Sequence, residues 1–133
     1  MSTVCVRIRL GAEHYAFDVS QVREVAMLRE LTPVPGAPPA ILGVINVKGQ
    51  VLPVIDTALL LGAAQSEPGL PARVVIVWTG AQLAALAVDE VIEVGPTPDP
   101  TEEPDSPLLD GAGVVDEKLV GFINLDVLLR AAA

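Results

Sequence analysis

The sequence predicts an all-β protein of two small five-stranded barrels related by internal duplication, with short helices, in one domain over residues 1–133. Three observations carry this reading. Gly11–Val25 (GAEHYAFDVSQVREV) aligns without a gap on Gly80–Val94 (GAQLAALAVDEVIEV) at an offset of 69 residues, with seven of 15 positions identical. Self-similarity at a fixed offset marks a repeated structural unit. Val51–Leu61 (VLPVIDTALLL) recurs more weakly as Leu119–Leu129 (LVGFINLDVLL) at offset 68, each an apolar strand feeding Asp or Asn and then a leucine-rich segment. Finally, each half holds five or so short strands, and about 60 residues of that kind is the size of a barrel of the SH3 type. The halves run roughly over 4–62 and 73–130, and exchange of strands between them is left open.

The elements follow in order. Val4, Val6, Ile8 and Leu10 alternate with Cys5, Arg7 and Arg9, the period-two pattern of a half-buried strand. Gly11-Ala12-Glu13 turns the chain into a second strand, His14–Val19. Asp18 and, in the repeat, Val88-Asp89-Glu90 offer caps for a short helical turn before the next strand. Thr32–Pro39 (TPVPGAPP) contains four prolines and reads as a rigid connector, because proline fixes φ and cannot donate to a ladder. Ile41–Val47 and Val51–Ile55 flank Lys48-Gly49-Gln50, a hairpin. Asp56 caps a helix over Thr57–Leu61. In the second half, Arg73–Trp78 is a continuous β-branched run, suited to burial on both faces. Thr79-Gly80-Ala81 is its turn. Gly95–Gly111, with five prolines and five acids, reads as a mobile surface loop. Asp116-Glu117-Lys118 is the second hairpin turn, and Asn124 caps a helix over Leu125–Arg130.

Composition narrows the function. Half of the chain (51%) is hydrophobic and 19% is charged, which excludes general disorder. Aromatics number four, Tyr15, Phe17, Trp78 and Phe122, so two barrels must share a core of Val, Leu, Ile and Ala. The formal charge is −9, the wrong sign for nucleic acid or an anionic membrane, both of which select Lys and Arg. Residues 1–73 hold six acids and six bases; residues 74–133 hold 11 acids and two bases, the entire excess. A partner with a basic surface would therefore be expected to face the second half. No uninterrupted apolar h-region or bilayer-length run occurs, so neither a secretory signal nor membrane insertion is expected.

Catalytic chemistry lacks its parts. His14, the one histidine, lies in a strand beside Tyr15 and Phe17 and reads as structural. Cys5, the one cysteine, reads as a small buried hydrophobe. A zinc site asks for several such ligands. The acidic loop lacks the spacing of a calcium loop, and Gly43-x5-Gly49 is followed by Gln50-Val51, which excludes a phosphate loop. The sequence describes a binding module, with no catalytic residue, no metal and no cofactor.

Ile41–Leu61 (ILGVINVKGQVLPVIDTALLL) carries a more specific signal. It resembles the CheW family of bacterial chemotaxis coupling proteins, in which Gly, Asn, Arg-Gly, Pro and Asp recur at these spacings. Gly43, Asn46, Lys48-Gly49, Pro53 and Asp56 match, with Lys48 in place of the family's Arg. The resemblance extends to Tyr15-x-Phe17-Asp18-Val19, Val22-Arg23-Glu24-Val25, Thr32-Pro33-Val34-Pro35 and Val88-Asp89-Glu90-Val91, nearly the whole chain. It implies two SH3-like barrels and a non-catalytic cytoplasmic adaptor, recruited to membrane-associated receptor arrays. Such an adaptor couples a chemoreceptor's cytoplasmic tip, seated between barrels, to the regulatory domain of a CheA-type histidine kinase at barrel ends. It assigns partner contacts to Val22, Glu24 and Lys48. A lysine keeps arginine's charge but lacks its planar fork. Two other readings stand beside this one: a CheW-like scaffold that binds one of those partners or serves a non-swimming pathway, and a small-molecule-binding double barrel.

Overall fold

A computed structural model describes residues 3–63 and 73–133; the junction between the halves, 64–72, lies outside the described residues. The described strands are β1 (Val4–Leu10), β2 (Glu13–Asp18), β3 (Val22–Met27), β4 (Ile41–Val47) and β5 (Gln50–Asp56), followed by helix α1 (Thr57–Leu61). After the junction come β6 (Arg73–Trp78), β7 (Leu83–Val88), β8 (Glu90–Pro96), β9 (Leu109–Val115), β10 (Lys118–Ile123) and helix α2 (Leu125–Ala132). They build two five-stranded sheets, ordered β8-β1-β2-β10-β9 and β3-β6-β7-β5-β4.

Shifting every strand number by five converts one order into the other, so the duplication seen in the sequence is a duplication of sheets. Register follows. Val6 faces Phe17 in the first sheet as Val75 faces Leu86 in the second. The parallel pair Phe122–Ala16 corresponds to Val54–Ala85. Even the irregularity recurs, between Arg7 and Ile8 where β1 meets β8, and between Val22 and Glu24 where β3 meets β6. Each sheet takes strands from both halves: β1 and β2 pair with strands of the second half, and β6 and β7 with strands of the first.

The central strands of each sheet are covered on both faces. Ile45, Leu52, Val54, Val74, Ile76, Ala85 and Ala87 fill the inside of the second barrel. Cys5, Ala16, Val120 and Phe122 fill the first. The larger core lies between the sheets, where Val6, Ile8, Phe17, Ile55, Val75, Leu86, Leu125 and Leu128 meet. Burying each such side chain contributes about 1.5–3 kcal/mol. Phe17 is the one aromatic fully buried there, which is how so few aromatics suffice.

Three local expectations change. β1 is buried on both faces because it is central in its sheet, with β8 and β2 on either side. Arg7 is therefore interior, 7% exposed. Asp18 caps a 3-10 turn at Val19–Gln21 through the N–H of Ser20, but Asp89 caps none. Its carboxylate accepts instead from the N–H of Gly11 at 2.6 Å, tying β1's turn to the start of β8. The proline-rich segment, expected to be loop from Gly95 to Gly111, is strand up to Pro96 and again from Leu109; 97–108 between them is surface loop, bridged to β9 at Glu102–Ala112.

Candidate partner-binding surface at a barrel end

The family motif on β4 and β5 is mostly backbone work. Gly43 passes beneath the connector, and a Cβ there would lie 2.4 Å from the carbonyl oxygen of Thr32. The contact is fixed by paired bonds, Thr32 N–H to Val44 O at 2.9 Å and Val44 N–H to Thr32 O at 2.8 Å. Asn46 Oδ1 accepts from the N–H of Gly49 at 2.9 Å and closes the turn. Lys48 and Gly49 hold φ of 52° and 84°, the pair of left-handed residues that a two-residue hairpin of matching twist requires. Pro53 sits opposite Val44, and β5 begins pairing with β7 only at Val54, so no ladder bond is lost at the missing N–H. Asp56 Oδ1 accepts from Leu59 N–H at 3.1 Å and caps α1.

One motif position has no such duty. The Lys48 side chain is 83% exposed, and its Nζ lies 3.6 Å from Oε1 of Glu24. Left-handed backbone at Lys48 aims the side chain off the end of the hairpin, toward β3. The two residues border a shallow cleft of about 200 Å³ with Leu52, Ile76 and Leu83 at the mouth of the second barrel. An exposed ion pair of this kind contributes under about 1 kcal/mol to stability, so its charges are available to a partner.

Val22 is not part of that cluster. The bulge at Arg23 puts Val22 opposite Val77 and Glu24 opposite Ile76. Val77 belongs to the inter-sheet core, against which Val22 packs half-buried, whereas Ile76 lines the barrel interior. The structure thus brings Glu24 and Lys48 together and turns Val22 to the seam between the sheets. Sequence reasoning missed Arg23 and Trp78. The guanidinium carbon of Arg23 lies 5.6 Å from the centre of the Trp78 ring, a cation–π distance, and Arg23 borders the same cleft. A basic residue inside an otherwise alternating strand was the available signal, and the bulge hid it.

Among the described residues, no group of three or more His, Cys, Asp and Glu side chains is placed to hold a metal ion. Cys5 is buried, and burial pushes its thiol above the ordinary value.

Comparison with known proteins agrees with this fold. The family model for a CheW-like domain matches residues 4–133. The chain is 27% identical over 129 residues to the chemotaxis protein CheW of Rhizobium meliloti, covering 91% of this chain and 83% of that protein. It is 26% identical over 129 residues to the chemotaxis protein CheW of Helicobacter pylori, covering 91% and 78%. Its fold matches the crystal structure of the scaffolding protein TtCheW from Thermoanaerobacter tengcongensis with a TM-score of 0.84 and 32% identity, over 96% of this chain and 88% of that one.

Proposed function

The chain belongs to the CheW-like family and is a non-catalytic chemotaxis coupling adaptor; from that premise we propose that its Glu24–Lys48 barrel end docks the regulatory domain of a CheA-type histidine kinase. On the same reading, the cytoplasmic tip of a chemoreceptor lies against the outer rim of the inter-sheet core, beside half-buried Val22. The adaptor works in the cytoplasm and is held at the membrane by the receptors it joins. Among the described residues no helix is long and apolar enough to cross a bilayer, and membrane recruitment runs through the receptor.

One observation supports this assignment. Once Gly43, Asn46, Gly49, Pro53 and Asp56 are accounted for by the hairpin, connector crossing and helix they build, Lys48 is the motif residue whose side chain serves no fold contact beyond an exposed ion pair. A rigid two-residue turn presenting a cation beside a carboxylate suits a partner with the opposite arrangement. Such complementarity sets register and encounter rate more than raw affinity. Of the readings left open by the sequence, family membership favours the coupling adaptor over a one-partner scaffold or a small-molecule carrier.

The test is reconstitution with purified components. Chain mixed with receptor-tip fragment and kinase regulatory domain should co-elute with each alone and with both together. Retention of neither would overturn the assignment.

A further inference from the structure

A second concave surface lies on the other sheet. The strap 97–108 leaves β8 and is held on β9 by Thr101 and Glu102, whose N–H groups lie 2.8 and 3.1 Å from the carbonyl oxygen of Ala112. Between the far part of this strap and the starts of β2 and β10 lies a groove of about 520 Å³. Tyr15, Leu109 and Leu119 supply an apolar lining, and Leu119 is 59% exposed. The strap side is acidic, with Glu102, Glu103 and Asp105 within four residues; Glu13 lies across from them, and Lys118 and His14 are the basic side chains in the lining. Glu13 is held in place by the hydroxyl of Tyr15, which donates to its Oε2 at 2.6 Å. The Tyr15 phenol is held above its ordinary value by burial first, then by Glu13 and Asp105.

The exposed Leu119 and the clustered strap carboxylates do not help folding. An exposed leucine forfeits its burial free energy, and carboxylates crowded on one strap repel one another. We infer that the groove docks a basic peptide segment of a protein partner, in which a Lys or Arg stem and an adjoining apolar side chain lie along Leu119 and Tyr15 while the basic head meets the strap carboxylates. Long basic side chains combine those two halves. Backbone pairing is not the mode of attachment, because the strap already occupies the outer edge of β9. Charge complementarity extends beyond the groove: residues 74–133 carry the whole −9, so the surrounding field draws a cationic segment toward it. This inference does not rest on the Glu24–Lys48 assignment, which concerns the other sheet.

Fluorescence anisotropy of the full chain with labelled hexapeptides at about 0.15 M salt, where the Debye length is about 8 Å, tests it. The probes are Gly-Lys-Leu-Arg-Lys-Gly, the same peptide with Gly for Leu, and its Glu-substituted counterpart. The first should bind, the second several-fold more weakly, and the third not at all. The triple variant Glu102→Gln/Glu103→Gln/Asp105→Asn should weaken the first peptide by about tenfold, the sum expected of three partly exposed charge contacts. Leu119→Ser should weaken it as well. A control triple, Glu30→Gln/Glu117→Gln/Asp126→Asn, removes equal charge outside the groove and should change binding less than about twofold. Absence of binding, equal losses in the two triple variants, or indifference to the peptide's leucine would overturn the inference.

Discussion

Glu93 stands in the first sheet where Glu24 stands in the second, but its cation comes from inside the barrel. Glu24 is opposite Ile76 across the β3–β6 pairing; Glu93 is opposite Arg7 across β8–β1. Arg7 Nη2 lies 3.1 Å from Glu93 Oε1 and 3.5 Å from Asp116 Oδ2. Asp116, in the β9–β10 turn, is the counterpart of Lys48. The duplicated framework thus carries opposite charges at its two hairpin turns, Lys48 on one and Asp116-Glu117 on the other.

The Arg7 site is an energetic compromise. Its Nε and Nη1 are buried with no hydrogen-bond partner, and an orphaned buried donor costs about 1–3 kcal/mol. The counterpart position holds isoleucine. Arg7→Ile should therefore leave urea-unfolding stability unchanged or raised, since Glu93 and Asp116 are 52% and 78% exposed and pass to water. Glu93→Gln/Asp116→Asn should destabilise by about 3–5 kcal/mol, because it strands a buried guanidinium. A large loss in Arg7→Ile would show that the cluster holds the barrel together.

Two related glycines should respond differently. Gly43→Ala drives a methyl into the Thr32 carbonyl, 2.4 Å away, at a φ of 155°. It should cost about 1–3 kcal/mol, the range for overpacking. Gly111, its counterpart, has Glu102 O at 3.6 Å from the added Cβ, an ordinary contact. Gly111→Ala should fall within about 0.5 kcal/mol of the parent. Thermal unfolding of the pair distinguishes close strap crossing from general glycine flexibility.

His14 links stability to pH. Burial first, then Lys118, Arg7 and Arg9, lower its proton affinity below the ordinary 6.5, and its Nδ1 is buried without a partner. The unfolded chain takes up this proton before the folded one does. The contribution of His14 is thus intact above pH 6.5 and is lost as pH falls from there through the lower folded value. Unfolding measured at pH 7.5 and 5.5 should show a smaller pH loss for His14→Gln than for the parent. Identical losses would remove His14 from the linkage.

Much of this was legible locally. Both hairpins, both helix caps and the hydrophobic run Arg73–Trp78 are written in residues within a few positions of one another, and the repeat shows as direct self-similarity at an offset of 69. What the chain kept hidden is set by distant partners. Asp89 looks like a cap because Asp before Glu resembles one, yet its partner is Gly11, 78 residues away. Arg7 looks solvent-facing by alternation and is enclosed because β8 arrives from the other half. The exchange of strands between halves is invisible to periodicity, which reports faces and not neighbours. At the candidate site, the motif gave Glu24 and Lys48, while the bulge that separates Val22 from them left no mark in the spacing.

The Glu24–Lys48 assignment meets its most direct test in calorimetric titration of the parent, Lys48→Arg and Lys48→Glu with the kinase regulatory domain. Arginine keeps the charge and adds a second donor in fixed geometry, so it should tighten binding a few-fold, about 1 kcal/mol. Glutamate should weaken binding by about tenfold or more through like-charge contact beside Glu24, with unfolding unchanged within about 0.5 kcal/mol, as for an exposed turn residue. Equal affinities for lysine, arginine and glutamate would contradict the claim that this barrel end is where the kinase domain docks.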